Sequence, residues 1–257
     1  MIRHLTNRRL LVSLAAATLV FAACGSDDDS SSDTTAPTED ATDETTVTEA
    51  AETTDDMTEE TAPPETEAPA AMFEGDLVGM FSIDDAVCDA ADVTGSYFRM
   101  LQPDGKYILN ADSACVDVTY SGMTAGTDGG LLTGGYQESP DPAFDEAGNA
   151  TAGAIFAPVP FFGAAFAGAT DSAEAMPMLT ATDGVLTGDL SAFTAYFGGG
   201  SFNQGAPKPD GTGDAPIGTI DPETGAYVID WTSLISGGSF DGFTGVWHLE
   251  GTFTTNS

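Results

Sequence analysis

The clearest alternation of apolar and polar side chains lies near the C-terminus, in Val246-Trp247-His248-Leu249-Glu250-Gly251-Thr252-Phe253. Trp247, Leu249 and Phe253 fall on one face, and His248, Glu250 and Thr252 on the other. A period of two predicts a strand with one buried and one wet face. Ala226-Tyr227-Val228-Ile229-Asp230-Trp231 is a second such run, entered through the turn-forming Asp221-Pro222-Glu223-Thr224-Gly225. Upstream, Ser96–Leu101 and Lys106–Leu109 flank Pro103-Asp104-Gly105, which predicts a hairpin. A period nearer 3.6 occurs over Ser82–Ala91, where Ile83, Val87 and Ala90 share a side and Ser82 would cap; this predicts one short helix. Thr127-Asp128-Gly129-Gly130-Leu131-Leu132-Thr133-Gly134 is echoed 55 positions later by Thr182-Asp183-Gly184-Val185-Leu186-Thr187-Gly188, as two similar hairpin strands would be. One echo does not make a repeat architecture.

Composition divides the chain in three. Arg3, Arg8 and Arg9 precede an uncharged, mostly apolar run of 14 residues, Leu10 to Ala23. As a helix it would span roughly 21 Å, short of a hydrocarbon core of about 30 Å, so residues 1–23 read as a signal peptide and not as a membrane span. Residues 25–71 then hold sixteen Asp and Glu, no Lys or Arg, and only Val47 and Met57 as large apolar side chains. Such a segment buries too little to offset its conformational entropy, and a disordered tether over 24–71 is expected. Residues 72–257 carry twenty-nine of the thirty glycines and every aromatic residue except Phe21. Many short strands joined by tight turns follow from that composition. The expected fold is mainly β: a single β-sandwich, with a partly open β-barrel as the alternative, carrying the one short helix.

The segment Phe21-Ala22-Ala23-Cys24 followed by Gly25 resembles the lipobox of bacterial lipoproteins. The family usually has leucine where this chain has Phe21. The resemblance implies that Cys24 is lipidated and becomes the first mature residue. The chain would then be held to a cell membrane or outer envelope with its domain facing outside the cytoplasm. A lipoprotein-type modification leaves more than one acyl chain, enough for stable anchoring. With Cys24 used in this way, Cys88 and Cys115 remain, and an exported even pair is expected to form a disulfide.

The charge excludes some partners. Arg99, Lys106 and Lys208 face twenty-five acidic residues in the domain, a balance of 3 − 25 = −22. Phosphate contact needs a basic surface, so nucleic acid is excluded as a partner. Catalytic motifs are missing as well. Gly237-Gly238-Ser239-Phe240-Asp241 lacks the closing glycine of a nucleophile elbow, Gly198-Gly199-Gly200 has no following Lys-Thr, and Gly211-Thr212-Gly213-Asp214-Ala215-Pro216 ends in proline. His248 is the only histidine beyond the signal peptide, and it shares a strand face with Glu250. Such a pair can transfer protons, although a solvent-facing pair along one strand is the commoner reason for it. Asp230, Asp241 and Glu250 lie close in sequence to Trp231 and Trp247, the residue types of a carboxylate-dependent glycoside hydrolase, although the alternation puts both tryptophans in the core. No cofactor is required by any motif. Two acidic loops suit calcium: Asp141, Asp145, Glu146 and Asn149 in one, and Asp210, Asp214, Asp221 and Glu223 in the other.

Pro160-Phe161-Phe162-Gly163, Phe202-Asn203-Gln204-Gly205, Gly225-Ala226-Tyr227 with Asp230-Trp231, and Phe240 with Phe243 resemble phrases of secreted bacterial β-sandwich domains carried on surface anchors. That resemblance implies a β-sandwich and assigns no catalytic residue. The expected function is therefore a lipid-anchored envelope domain that is not an enzyme and binds a surface protein or glycan. An extracellular glycoside hydrolase and a structural coat component are the alternatives.

Overall fold

In the computed structural model, residues 73–90 and 92–256 are described, and they contain fourteen strands. In chain order these are β1 (Gly75–Leu77), β2 (Gly79–Ser82), β3 (Tyr97–Leu101), β4 (Ser121–Gly122), β5 (Gly130–Thr133), β6 (Val159–Phe161) and β7 (Ala164–Thr170). There follow β8 (Met178–Thr182), β9 (Val185–Asp189), β10 (Phe193–Phe197), β11 (Gly200–Asn203), β12 (Ile217–Ile220), β13 (Ala226–Leu234) and β14 (Thr244–Thr255). All pairings are antiparallel and form two sheets. The larger sheet runs β1-β8-β9-β12-β13-β14-β2-β5, with β3 also on β14 and β4 on β3; the smaller runs β11-β10-β7-β6. The fold class is thus mainly β. The signal peptide, Cys24 and the acidic tether lie outside the described residues.

Strand β14 is the hub, because its 12 residues are long enough to serve three partners. One edge pairs with β13 throughout, from Thr244↔Leu234 to Thr252↔Ala226. The other edge pairs first with β3 and, at Phe253–Thr255, with β2. Between the two, the Ser96 hydroxyl accepts from Glu250 N at 2.9 Å and the Ser82 hydroxyl accepts from Thr252 N at 3.0 Å, so the backbone donors are satisfied across the gap.

The inner face follows the alternation read from the sequence. Trp247, Leu249 and Phe253 are at most 1 % exposed and pack with Trp231, Ile229 and Tyr227 of β13. The two indoles stack at 5.8 Å and 8°, and Phe166, Phe156 and Phe193 of the smaller sheet's side of the core close over Trp247. One aromatic core therefore joins the two sheets. Its closeness is visible at Gly245, where a Cβ would lie 2.1 Å from Gln204 Oε1 and 3.1 Å from Trp247 Nε1.

The helix expected over Ser82–Ala91 is not formed. Ser82 ends β2, and the donors that a helix would use go elsewhere: Ile83 N to Gly129 O, Asp84 N to Glu250 O and Ala86 N to Met123 O, at 2.7–2.9 Å. Val87 bridges Thr94, and Ala91 lies outside the described residues. A ten-residue helix with a costly nucleus gains less than this segment obtains from neighbouring carbonyls. Among the described residues the only helical element is one 3₁₀ turn, Gly238–Phe240, and no helix is long and apolar enough to cross a membrane.

Cys88 and Cys115 form the expected disulfide, with Cα atoms 4.9 Å apart. It joins the segment after β2 to the long β3–β4 connection rather than a helix to a hairpin. The hairpin at Pro103-Asp104-Gly105 is short, with Ile108 N donating to Met100 O and Leu101 bridging Tyr107. Beyond it, Arg99 clamps the connection. Its guanidinium lies 3.3 Å from the Tyr107 ring centroid and 4.0 Å from that of Tyr120, and Nη2 donates to Thr119 Oγ1 at 2.9 Å. The echoed segments differ in partner: β8 and β9 form a hairpin about Asp183-Gly184, whereas β5 leaves Gly129 to pair with β2.

Candidate functional site

Three connections meet at one end of the molecule: the β6–β7 turn, the β10–β11 hairpin and the β13–β14 link that contains the 3₁₀ turn. Each contributes phenylalanine. Phe240 sits 5.8 Å from Phe161, 5.6 Å from Phe162, 5.9 Å from Phe197 and 5.7 Å from Phe243, centroid to centroid. Below them a cleft with about 40 Å³ of free space runs to Phe98 and Trp247, with Phe202 and Ile235 in its walls. Gln204 is its one polar side chain, and both ends of that amide are engaged. Oε1 accepts from Trp247 Nε1 at 3.3 Å and Nε2 donates to Asn203 O at 3.1 Å. The cleft wall therefore offers water no unpaired polar side chain.

The turn that follows Phe161 is unusual. Phe161 pairs with Ala164, leaving Phe162-Gly163 as a two-residue loop with φ of 46° and 83°. The β8–β9 loop, Asp183-Gly184, has nearly the same form at 51° and 77°. Both angles positive is the hairpin turn that favours Asn-Gly or Asp-Gly. Asp183 meets that preference and Phe162 does not. A bulky residue in the left-handed region costs about 1–2 kcal/mol. Phe162 is nevertheless 48 % exposed, so about half of the ring remains open to contact. Strain held at an exposed aromatic side chain points to use of that side chain.

On the outer face of the larger sheet, Tyr97, His248 and Asp230 lie side by side on β3, β14 and β13. Tyr97 stacks on the imidazole at 4.5 Å, Nδ1 is 2.8 Å from Asp230 Oδ1, and Nε2 is 4.0 Å from Glu250 Oε2. Glu250 also accepts from Gly95 N at 2.9 Å. Burial, first of all, and then the neighbouring Tyr120 raise the Tyr97 phenol above its ordinary value. The His248–Glu250 pair read from the sequence is thus adjacent, but its closer partner is Asp230, which only strand register could bring there. Asp241 is remote from this group and accepts from Gly237 N at 2.6 Å in the β13–β14 link. With Trp231 and Trp247 in the core, neither indole is free to stack on a sugar.

The acidic loops turn their carboxylates inward on themselves. Asp145 Oδ1 accepts from Ala147 N and Asn149 N, and Oδ2 from Asn149 Nδ2, each at 2.9 Å; the Asn149 oxygen accepts from Ala165 N. Asp210 accepts from Thr212 N and Oγ1, Asp221 from Glu223 N and Thr224 N, and Asp214 from Thr232 Oγ1. These bonds hold Asp145, Asp210 and Asp221 below the usual carboxylate range, through the Asn149 side chain, the Thr212 hydroxyl and the Thr224 amide respectively. Asp141, Glu146 and Glu223 are exposed. Among the described residues no three His, Cys, Asp or Glu side chains come together as metal ligands would. The spacing read from the sequence reflects the preference of aspartate for turns.

The phenylalanine end was not singled out as a site by the sequence reading. Its signal was there: Pro160–Gly163, Phe202–Gly205 and the Phe240/Phe243 pair, three of the four glycine–aromatic phrases, all converge on it. No family model, no curated protein and no solved structure matches this chain.

Proposed function

We propose that this chain is a cell-envelope lipoprotein, anchored through Cys24, whose β-domain is a binding module and not an enzyme. The binding end is the phenylalanine cluster between the sheets, and its exposed ring faces, rather than the cleft of about 40 Å³ behind them, take a small apolar or aromatic group of a partner at the envelope. The observation that carries this is Phe162, a half-exposed aromatic side chain held in a strained turn and packed against Phe161 and Phe240, which line an apolar cleft. The signal-peptide pattern, the cysteine behind it and the acidic spacer support a display role.

The test uses the chain carrying Cys24→Ser, so that it is soluble, titrated with the uncharged fluorophore N-phenyl-1-naphthylamine. The account expects a saturable rise in emission. Phe162→Asn with Phe240→Ser should abolish it, and Val185→Ser with Ile217→Ser, which removes two exposed apolar side chains of the larger sheet, should leave it. No rise, or equal loss in both pairs, rejects the reading.

A further inference from the structure

We infer that a second pocket, beside the β11 edge and around Lys208, binds the carboxylate of an acidic sugar. It rests on different observations from the phenylalanine end, although Phe202 forms a wall of both.

The starting point is where the domain spends its three cations. Arg99 lies between two tyrosine rings, and Lys106 pairs with Asp104 at 2.5 Å. Neither Arg99 nor Lys208 has a carboxylate within 4.0 Å among the described residues, although acidic side chains outnumber basic ones twenty-five to three in the domain; Arg99 is taken up by its two rings, whereas Lys208 lines a pocket. Its ammonium is half-buried and is held by two backbone carbonyls, Asn203 O at 3.0 Å and Leu234 O at 2.7 Å. Two of its three N–H groups are thereby used, and the third is left for the pocket that Lys208 lines. Asp210 is the nearest charge to act on it, and that carboxylate is engaged by Thr212. Desolvation outweighs Asp210 and lowers the amine's pKa, as expected for a cation taken partly out of water without a carboxylate in ion-pair contact. A chain this acidic could supply a partner from almost any neighbouring position. Leaving the cation unpaired fits a negative group that arrives from outside.

The remaining walls describe what carries that group. The pocket has about 260 Å³ of free space, close to that of a single sugar ring. Ser191, Ser201 and Ser236 line it with hydroxyls able to donate and accept, Glu174 supplies an acceptor for ligand hydroxyls, and the Phe202 ring offers a face for the C–H side of a pyranose. A bare anion would use Lys208 and the hydroxyls, but neither the Glu174 acceptor nor the Phe202 face. A neutral sugar would leave the ammonium uncompensated. A sugar acid uses both.

The experiment is calorimetric titration of the full chain with Cys24→Ser, using glucuronate and, as the neutral control, glucose. Glucuronate should bind saturably and glucose should not. Lys208→Gln should weaken glucuronate by at least about tenfold, the typical value of a hydrogen bond to a charged group. Because Lys208 also braces two backbone carbonyls, Ser236→Trp provides a second arm, filling the pocket while keeping the lysine; it should abolish binding too. Absence of heat with glucuronate, equal binding of glucose, or glucuronate affinity unchanged in both variants overturns the inference. Binding of N-phenyl-1-naphthylamine at the other end should be indifferent to Lys208→Gln, so the two sites stand or fall separately.

Discussion

Phe162 offers the sharpest separation between a side chain kept for stability and one kept for contact. Its neighbour Phe161 is 3 % exposed and belongs to the core, so Phe161→Ala should cost about 3–5 kcal/mol. Phe162, at 48 % exposed, keeps roughly 100 Å² out of water, which at about 25 cal/mol per Å² is an upper figure of about 2.5 kcal/mol. Phe162→Asn forfeits that contact but recovers most of the left-handed strain of about 1–2 kcal/mol, since Asn is at home with φ near 46°. The net expected loss is about 1 kcal/mol. Urea unfolding followed by the fluorescence of the buried Trp231 and Trp247 measures both variants on one scale. A loss of 3 kcal/mol or more for Phe162→Asn would show Phe162 to be a structural residue and remove the reason for placing the binding end there.

Reduction of the Cys88–Cys115 bridge, or Cys88→Ser with Cys115→Ser, should lower stability by about 3.5 kcal/mol, from a loop of 27 residues closed in the unfolded chain; the same urea series reads it. Carboxyl NMR should show Asp104, Asp117, Asp145, Asp210 and Asp221 titrating below the ordinary aspartate range. Because those folded values are depressed, the stability linked to them is complete above about pH 4 and is lost only as pH falls through the folded values. Millimolar calcium against excess chelator should leave the thermal midpoint unchanged, since Asp145, Asp210 and Asp221 already bond within their own turns; a calcium-specific rise would show that the loops rearrange around an ion.

The pattern of the chain disclosed the strands best where one face is buried. The alternation in Val246–Phe253 placed Trp247, Leu249 and Phe253 inside, as the structure has them. The turn at Asp221–Gly225 likewise leads from β12 into β13. It misled over Ser82–Ala91, because helical spacing is a local signal and the carbonyls of Gly129, Glu250 and Met123 that capture those donors are distant in sequence. The same limit applies to the sites. Glycine–aromatic phrases were visible, but their convergence at Phe240 depends on the pairing of β6 with β7 and β10 with β11. Lys208 carried no motif at all. What distinguishes it is an ammonium without an ion-pair partner in a pocket wall, and that becomes visible only when the neighbours are in place.

The most direct test of the binding end is a chemical-shift map of the chain, Cys24→Ser, with and without N-phenyl-1-naphthylamine. The account expects the shifts to concentrate at Phe162, Gly163, Phe202, Ile235 and Phe240–Phe243, with the backbone around Val185 and Ile217 unmoved. Shifts centred on the outer face of the larger sheet, or none at all, would contradict it.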